Sequence, residues 1–174
     1  VNTIALGILN LRLLPVITII IPIFILFRNI SLLNTKTALV IMNVFAALPL
    51  CVWLMKGFFD GIPIEIEEAA LVDGLNCFGV FRKIALPLSY GGIFATGVTV
   101  FVMIWNEFLF AFILTTDSAA ITAPVIVASM LAKQGFLFSR MCAASSLLVT
   151  PTFILALFFG KHLVKGMTMG AVKG

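Results

Sequence analysis

The chain of 174 residues is 62% hydrophobic, and only 11 Lys or Arg and 7 Asp or Glu residues carry charge. A soluble domain is about one-quarter charged, and a small one cannot bury this much apolar surface because its ratio of surface to volume is high. The composition therefore excludes a soluble globular domain, a disordered chain and a disulfide scaffold, and it favours a membrane protein.

Long runs without charge predict the membrane-spanning helices. Three runs are each close to the roughly 20 apolar residues that a helix needs to cross a hydrocarbon core of about 30 Å. A shorter run, 13–27, crosses only if its helix begins near residue 4 and includes Arg12. We predict an all-α membrane protein, a polytopic transmembrane helix bundle, because the runs do not alternate with polar residues as membrane strands do. The four predicted spans are about 4–27, 37–55, 84–106 and 141–160.

The positive charges predict the orientation of these spans. The loop 56–83 and the tail 161–174 carry six Lys and Arg residues, whereas the segments 28–36 and 107–140 carry four. Because short loops rich in Lys and Arg stay in the cytoplasm, we predict a cytoplasmic loop 56–83, a cytoplasmic C-terminus and an outer segment 107–140. Within that segment, 118–132 is charge-free but too short to span, so it lies on the outer face or is re-entrant.

No residue pattern indicates catalysis, a metal site or nucleic-acid binding. The three cysteines are dispersed and the one histidine has no second ligand nearby, so no catalytic residue, metal or cofactor is expected. The basic residues flank the spans and form no stripe with aromatic residues, which argues against a nucleic-acid partner. A membrane-embedded enzyme would need a catalytic constellation, and a passive channel would need rings of polar or charged residues. Both stay open as alternatives of a different class.

The loop 56–83 is the most polar stretch and holds five of the seven acidic residues. Pro63 fits the first turn of a helix, Gly74 fits the C′ position after it, and Asn76 can cap a second helix. That second helix has an apolar face at spacing three, formed by Phe78, Phe81 and Ile84, and we predict that Pro87 ends the connection. On physical grounds this pair of short helices is either a cytoplasmic docking knob or an interfacial loop on the lipid headgroups.

The same loop resembles the EAA motif of ABC importer permeases. Glu68-Ala69-Ala70 is followed after three residues by Gly74 and, after nine more, by Ile84-Ala85-Leu86-Pro87, so every fixed position of the motif agrees. The chain is also similar to the carbohydrate branch, the maltose-type permeases, at 31–35, 105–108 and 166–174. Permeases of that branch usually have six spans, so the resemblance implies a six-span protein truncated at its N-terminus.

The resemblance implies that the loop is a coupling helix that docks on a cytoplasmic ATP-binding-cassette ATPase. Glu68 would pair with a basic residue of that ATPase, and Gly74 would set the bend. The coupling residues implied are Glu68, Ala69, Ala70, Gly74, Ile84, Leu86 and Pro87. ATP hydrolysis is expected on the partner, because this chain has no P-loop.

The function implied is that of a permease subunit in a bacterial or archaeal inner membrane. It would form part of the pathway for a sugar or oligosaccharide, with a non-sugar solute such as a polyol or a phosphorylated glycerol as the alternative. The other implied partners are a second permease subunit, an extracytoplasmic solute-binding protein and the lipid bilayer.

Two polar residues inside the spans are candidate pathway or gate residues. Arg12 costs about 2.5–3.5 kcal/mol at the centre of a span on insertion scales, so it faces the pathway, joins a structural ion pair or reaches the interface. Asn43 either makes a hydrogen bond between helices or lines the pathway.

Two further candidates end the third span on the outer side. Asn106 and Glu107 follow Trp105, a residue type that suits the membrane interface. Glu107 either pairs with Lys133 or Arg140 across the outer segment or helps to dock a binding protein.

Overall fold

The described part of the chain is helical throughout, which confirms the all-α prediction. The computed structural model describes residue 7 and residues 15–116, 120–133 and 138–169. Arg12 and most of the first half of the predicted span 4–27 lie outside the described residues. The helices described, in chain order, are α1 (Val16–Asn29), α2 (Lys36–Phe59), α3 (Ile64–Val72), α4 (Cys77–Leu88), α5 (Tyr90–Trp105), α6 (Leu109–Leu114), α7 (Ala123–Lys133) and α8 (Phe138–Met169).

Two helices of the described chain are long and apolar enough to cross a membrane by themselves. They are Lys36–Phe59 and Phe138–Gly160, and they contain the predicted spans 37–55 and 141–160. Of the predicted span 4–27, the structure describes a shorter apolar helix, Ile17–Asn29. The membrane character of the bundle is thus confirmed, with the long helices where the charge-free runs placed them.

The predicted span 84–106 is two helices instead of one. α4 and α5 meet at Ser89 and are bent by 68°, so 84–88 continue the helix that comes from the polar loop. Pro87 cannot donate a backbone N–H, and the turn before it is a π-helix in which the Leu86 N–H donates to the Phe81 carbonyl. Pro87 therefore lies inside α4, whereas we predicted that it would end the connection. The charge-free run did not reveal the bend because Ser89 is also uncharged.

α5 packs between α2 and α8 and runs antiparallel to both. On the α2 side, the buried Thr96 hydroxyl donates to the Met55 sulfur at 3.5 Å. On the α8 side, the rings of Phe94 and Phe159 meet edge to face with their centroids 4.8 Å apart. The bent pair α4–α5 is therefore held by one long helix on each side.

The buried core of the described residues lies where α1, α2, α6 and α7 meet. Its members are Ile20, Phe27, Ala38, Leu39, Met42, Phe110, Ala111, Leu114 and Val125. The turn between α1 and α2 is tied to this core by Asn34, whose Oδ1 accepts from the Thr116 N–H at 2.5 Å and the Thr116 hydroxyl at 3.0 Å. Thr35 caps α2 by accepting from the Ala38 N–H at 3.2 Å.

Candidate functional site

The helix that carries Glu68 is bounded by the residues that the sequence indicated. Pro63 immediately precedes α3 and accepts a hydrogen bond from the Ile66 N–H at 3.2 Å. At the other end Gly74 has a φ of +88°, and its N–H donates to the Leu71 carbonyl at 3.0 Å. The next N–H, of Leu75, donates to the Ala70 carbonyl at 3.1 Å, which completes a Schellman motif. The predicted glycine stop is confirmed.

The second helix of the loop begins at the predicted cap. The Gly79 N–H donates to Asn76 Oδ1 at 2.7 Å, so the amide side chain satisfies a backbone donor that the helix start leaves free. The predicted apolar face of α4 is largely turned outward: Phe78 and Phe81 are exposed and Ile84 is half-buried. The buried positions of α4 are instead small or medium residues, Val80 and Ala85, because these allow the neighbouring helices to approach closely.

The seven motif residues lie on α3, on the turn after it and on α4, and they differ in exposure. Ala70 is buried on the side of α3 that packs on α4, and Gly74 makes the turn between the two helices. Glu68 and Ala69 are exposed on α3. Three residues of α4 complete the motif: Ile84 is half-buried, and Leu86 and Pro87 are exposed. The structure therefore brings the motif together as one unit, the α3–α4 pair.

Glu68 lies in the middle of an exposed row on α3. Ile64, Glu68 and Val72 are four residues apart, so they follow one another along one side of the helix. The side chains of Ile64 and Val72 are 63% and 86% exposed, which is high for aliphatic residues. Within the described chain no hydrogen bond or ion pair engages the Glu68 carboxylate. The row thus offers an unpaired acid flanked by two apolar side chains.

The charges around this row are mostly acidic. Asp60 is neutralised by an ion pair with Lys56 one turn earlier. The remaining acids of the loop lie on or just after α3: Glu65, Glu67, Glu68 and Asp73. Arg82 and Lys83 lie in the π turn of α4. Carboxylates in the first turn of a helix are favoured by the helix dipole, so Glu65 and Glu67 also stabilise α3.

The polar residues at the ends and middle of the spans have different surroundings. Asn43 lies on α2 beside the buried Met42, and its Oδ1 is buried without a hydrogen-bond partner among the described residues. Asn106 caps the end of α5, and its Nδ2 donates to the Val102 carbonyl at 2.7 Å. The side chain of Asn106 is therefore partly occupied by its own helix, whereas the Asn43 oxygen is not.

Glu107 has a role that the sequence analysis did not consider. Its Oε1 accepts from the Phe110 N–H at 2.7 Å and its Oε2 accepts from the Ala111 N–H at 3.3 Å. These are free donors at the start of α6, so the carboxylate caps that short helix. The sequence carries a weak signal for this contact, because an acidic residue two positions before a short apolar run can cap a helix that begins there.

Comparisons with known proteins find similar sequences over nearly the whole chain. The family model described as "Binding-protein-dependent transport system inner membrane component" matches residues 2–169. A probable ABC transporter permease of Sinorhizobium fredii is 41% identical over 172 residues, 99% of this chain and 62% of the relative. A trehalose/maltose transport system permease of Thermococcus litoralis is 36% identical over 168 residues, 96% of this chain and 60% of the relative.

A third relative differs in the solute that its name gives. The sulfoquinovosyl glycerol transport system permease of Agrobacterium fabrum is 34% identical over 160 residues, 92% of this chain and 56% of the relative. The chain therefore spans between 56% and 62% of the length of these three relatives.

Proposed function

Because the chain belongs to the family of binding-protein-dependent transport system inner membrane components, we propose that it acts as a membrane-spanning permease subunit of an ATP-binding-cassette importer. In this proposal the helices around α5 form part of the pathway for a sugar or oligosaccharide. ATP is hydrolysed by a separate cytoplasmic ATPase, to which the α3–α4 pair docks. A second permease subunit and an extracytoplasmic solute-binding protein complete the complex.

The observation that carries the proposal is the exposed row Ile64–Glu68–Val72. A carboxylate between two aliphatic side chains suits a protein groove that supplies a basic partner and apolar walls. The row suits the surface of a membrane less well, because the cytoplasmic leaflet is negatively charged and repels a helix with four nearby carboxylates. This electrostatic argument favours a docking knob over an interfacial loop. The cytoplasmic position of the α3–α4 pair is proposed from the larger number of Lys and Arg residues in 56–83 and 161–174.

For the pathway we propose Asn43 as the first of the four candidate residues to test. Its Oδ1 is buried and unpaired among the described residues, so it is placed to accept from a solute hydroxyl or a neighbouring helix. Asn106 and Glu107 stay candidates, although both side chains already make hydrogen bonds at helix ends. Arg12 stays a candidate from the sequence alone.

A sugar is the proposed solute because two of the named relatives transport sugars or a sugar derivative. The name of the Thermococcus relative gives trehalose and maltose, and that of the Agrobacterium relative gives sulfoquinovosyl glycerol. The latter also keeps a glycerol-containing solute open as the alternative for this chain.

The test is reconstitution of the full-length permease in proteoliposomes with its ATPase, second permease subunit and binding protein. We expect uptake of labelled maltose or trehalose that needs both ATP and the binding protein, and competition by the solute that the binding protein carries. Uptake without ATP would support a passive channel, and failure of the ATPase to copurify would contradict the coupling role. Competition by glycerol 3-phosphate or a polyol, but not by sugars, would contradict a sugar as the solute and support the alternative solute class.

A further inference from the structure

The last turn of α2 contacts both helices that meet at the 68° bend. The ring of Phe58 lies directly on Gly92, in the first turn of α5: a Cβ added at Gly92 would lie 2.5 and 2.6 Å from the two Cδ atoms of Phe58 and closer still to its Cγ. The ring of the next residue, Phe59, packs on Phe81 of α4, with centroids 6.1 Å apart and planes tilted by 52°. Two consecutive residues of α2 therefore contact opposite sides of the bend.

Side chains within the bend do little to fix its angle. Ser89 is held by its backbone, since its N–H donates to the Ala85 carbonyl and its carbonyl accepts from the Ile93 N–H, each at 2.9 Å. Ser89, between α4 and α5, is buried, but its hydroxyl has no hydrogen-bond partner among the described residues. Pro87 removes a backbone donor two residues earlier, and the π turn loosens the regular spacing of the helix before it. A break of this kind can flex unless side chains outside it hold both arms.

We propose that Phe58, Phe59, Phe81 and Gly92 form an aromatic clasp that holds the α3–α4 pair at a fixed angle to α5. A movement that the ATPase imposes on the α3–α4 pair is then delivered to α2 and α5 together, instead of being absorbed at Ser89. The clasp rests on the proposed coupling function and adds the residues that transmit the movement. Gly92 and Phe58 are positioning residues in this scheme, since they act by holding the α3–α4 pair against α5.

The Phe58 ring can lie on α5 only because residue 92 is a glycine, which has no Cβ. Packed protein interiors resist compression, so a methyl group at this position must displace the Phe58 ring or the helix that carries it. The neighbouring Gly91 provides a matched control: it lies in the same helical turn, yet an added Cβ there meets no atom within 4 Å. Both substitutions change glycine to alanine in α5, and only one disturbs the clasp.

The experiment measures solute taken up per ATP hydrolysed in proteoliposomes containing the full-length permease and its partners. For Gly92→Ala we expect the ATPase to stay bound and active while this ratio falls by about tenfold, within the usual range for coupling between sites. Gly91→Ala should keep the wild-type ratio. A merely structural role for Gly92 would lower the yield of assembled complex and leave the ratio unchanged in the complex that remains, and that result would overturn the clasp.

A double variant tests whether the two residues act through one contact. Residues in contact have non-additive effects, and Phe58→Ala removes all three ring atoms that the methyl group introduced by Gly92→Ala would overlap. Because Phe58→Ala already removes the clasp, we expect the double variant Phe58→Ala/Gly92→Ala to have the same lowered ratio as Phe58→Ala alone. If Gly92→Ala does not assemble, Phe58→Ala alone should still assemble with a lowered ratio. A wild-type ratio in Phe58→Ala, or a ratio in the double variant well below that of Phe58→Ala, would contradict the clasp.

The proposed function and the clasp fail in different ways. If the wild-type permease does not bind its ATPase or transports without ATP, the proposed function is wrong. If the wild-type complex is coupled, and Gly92→Ala is coupled equally well, only the clasp is wrong.

Discussion

The indole Nε1 of Trp105 donates a hydrogen bond to the backbone carbonyl of Leu148 at 2.9 Å, which joins the end of α5 to the middle of α8. Leu148 lies three residues before Pro151, next to Leu147, whose carbonyl loses its helical donor because proline has no backbone N–H. Trp105 therefore bonds a carbonyl in the turn of α8 that the proline weakens. The tryptophan thus has a bonding role beyond the interfacial preference that its residue type indicates.

Trp105→Phe should destabilise the permease while keeping most of the aromatic packing. Loss of one interhelical hydrogen bond in a membrane bundle costs about 0.6 kcal/mol on average and up to about 1.7 kcal/mol. The measurement is unfolding of the purified full-length permease in mixed micelles. Trp53→Phe is the control, since Trp53 is 54% exposed. An equal loss of stability in both variants would contradict a stabilising role for the hydrogen bond from Trp105 to the Leu148 carbonyl.

Glu68→Ala should release the ATPase or uncouple hydrolysis from uptake, while the permease still inserts. Leaving one partner of a buried charge pair alone costs about 2–5 kcal/mol, roughly 30-fold to several thousand-fold in affinity. Glu65→Ala is the matched control on the same helix, because it is also an exposed acid but lies outside the motif. The measurement is ATPase copurification together with solute uptake. If the two variants behave alike, Glu68 only stabilises the start of α3.

Gly74→Ala should weaken the α3–α4 pair, because its φ of +88° is unfavourable for a residue with a Cβ. The left-handed conformation costs an alanine about 1–2 kcal/mol. We expect faster proteolysis between α3 and α4 and weaker ATPase binding. Gly57→Ala, at an exposed position in the last turn of α2 where an added Cβ meets no atom, is the control and should be neutral or stabilising, since alanine is the better helix former. Resistance to protease equal to that of the wild type would argue that the turn does not depend on glycine.

Val72 should be accessible from the cytoplasm. We expect a Val72→Cys variant, in a background without Cys51, Cys77 and Cys142, to react with an impermeant maleimide only when the cytoplasmic side is open. Asn29→Cys, at the exposed end of α1, should react only from the opposite side. Labelling of Val72→Cys from the outer side alone would reverse the proposed orientation.

Local chemistry made part of this fold predictable. The stop at Gly74 and the cap at Asn76 depend on residues within one helical turn, and both were confirmed. The spans α2 and α8 followed from charge-free runs, because crossing a membrane requires length and apolarity and little else.

The features that escaped prediction depend on contacts across the bundle. The contact between Phe58 and Gly92 joins residues 34 positions apart in sequence, and no hydropathy pattern reports a missing Cβ. Ser89 is uncharged, so the bend at this residue does not interrupt the charge-free run that predicted a single span. The capping role of Glu107 required knowledge that a new short helix begins at Leu109.

The hydrogen bonds that shape the α3–α4 pair have a consequence for the order in which the chain folds. Its turn and caps join residues at most five positions apart, such as Leu75 and Ala70. The tie between Asn34 and Thr116 instead spans 82 positions. Because local contacts form before distant ones, the α3–α4 pair should acquire its shape while the ribosome is still making α5. The turn after α1 must wait until α6 has been synthesised, so the nascent chain completes the α3–α4 pair before the hydrogen bonds between Asn34 and Thr116 can form.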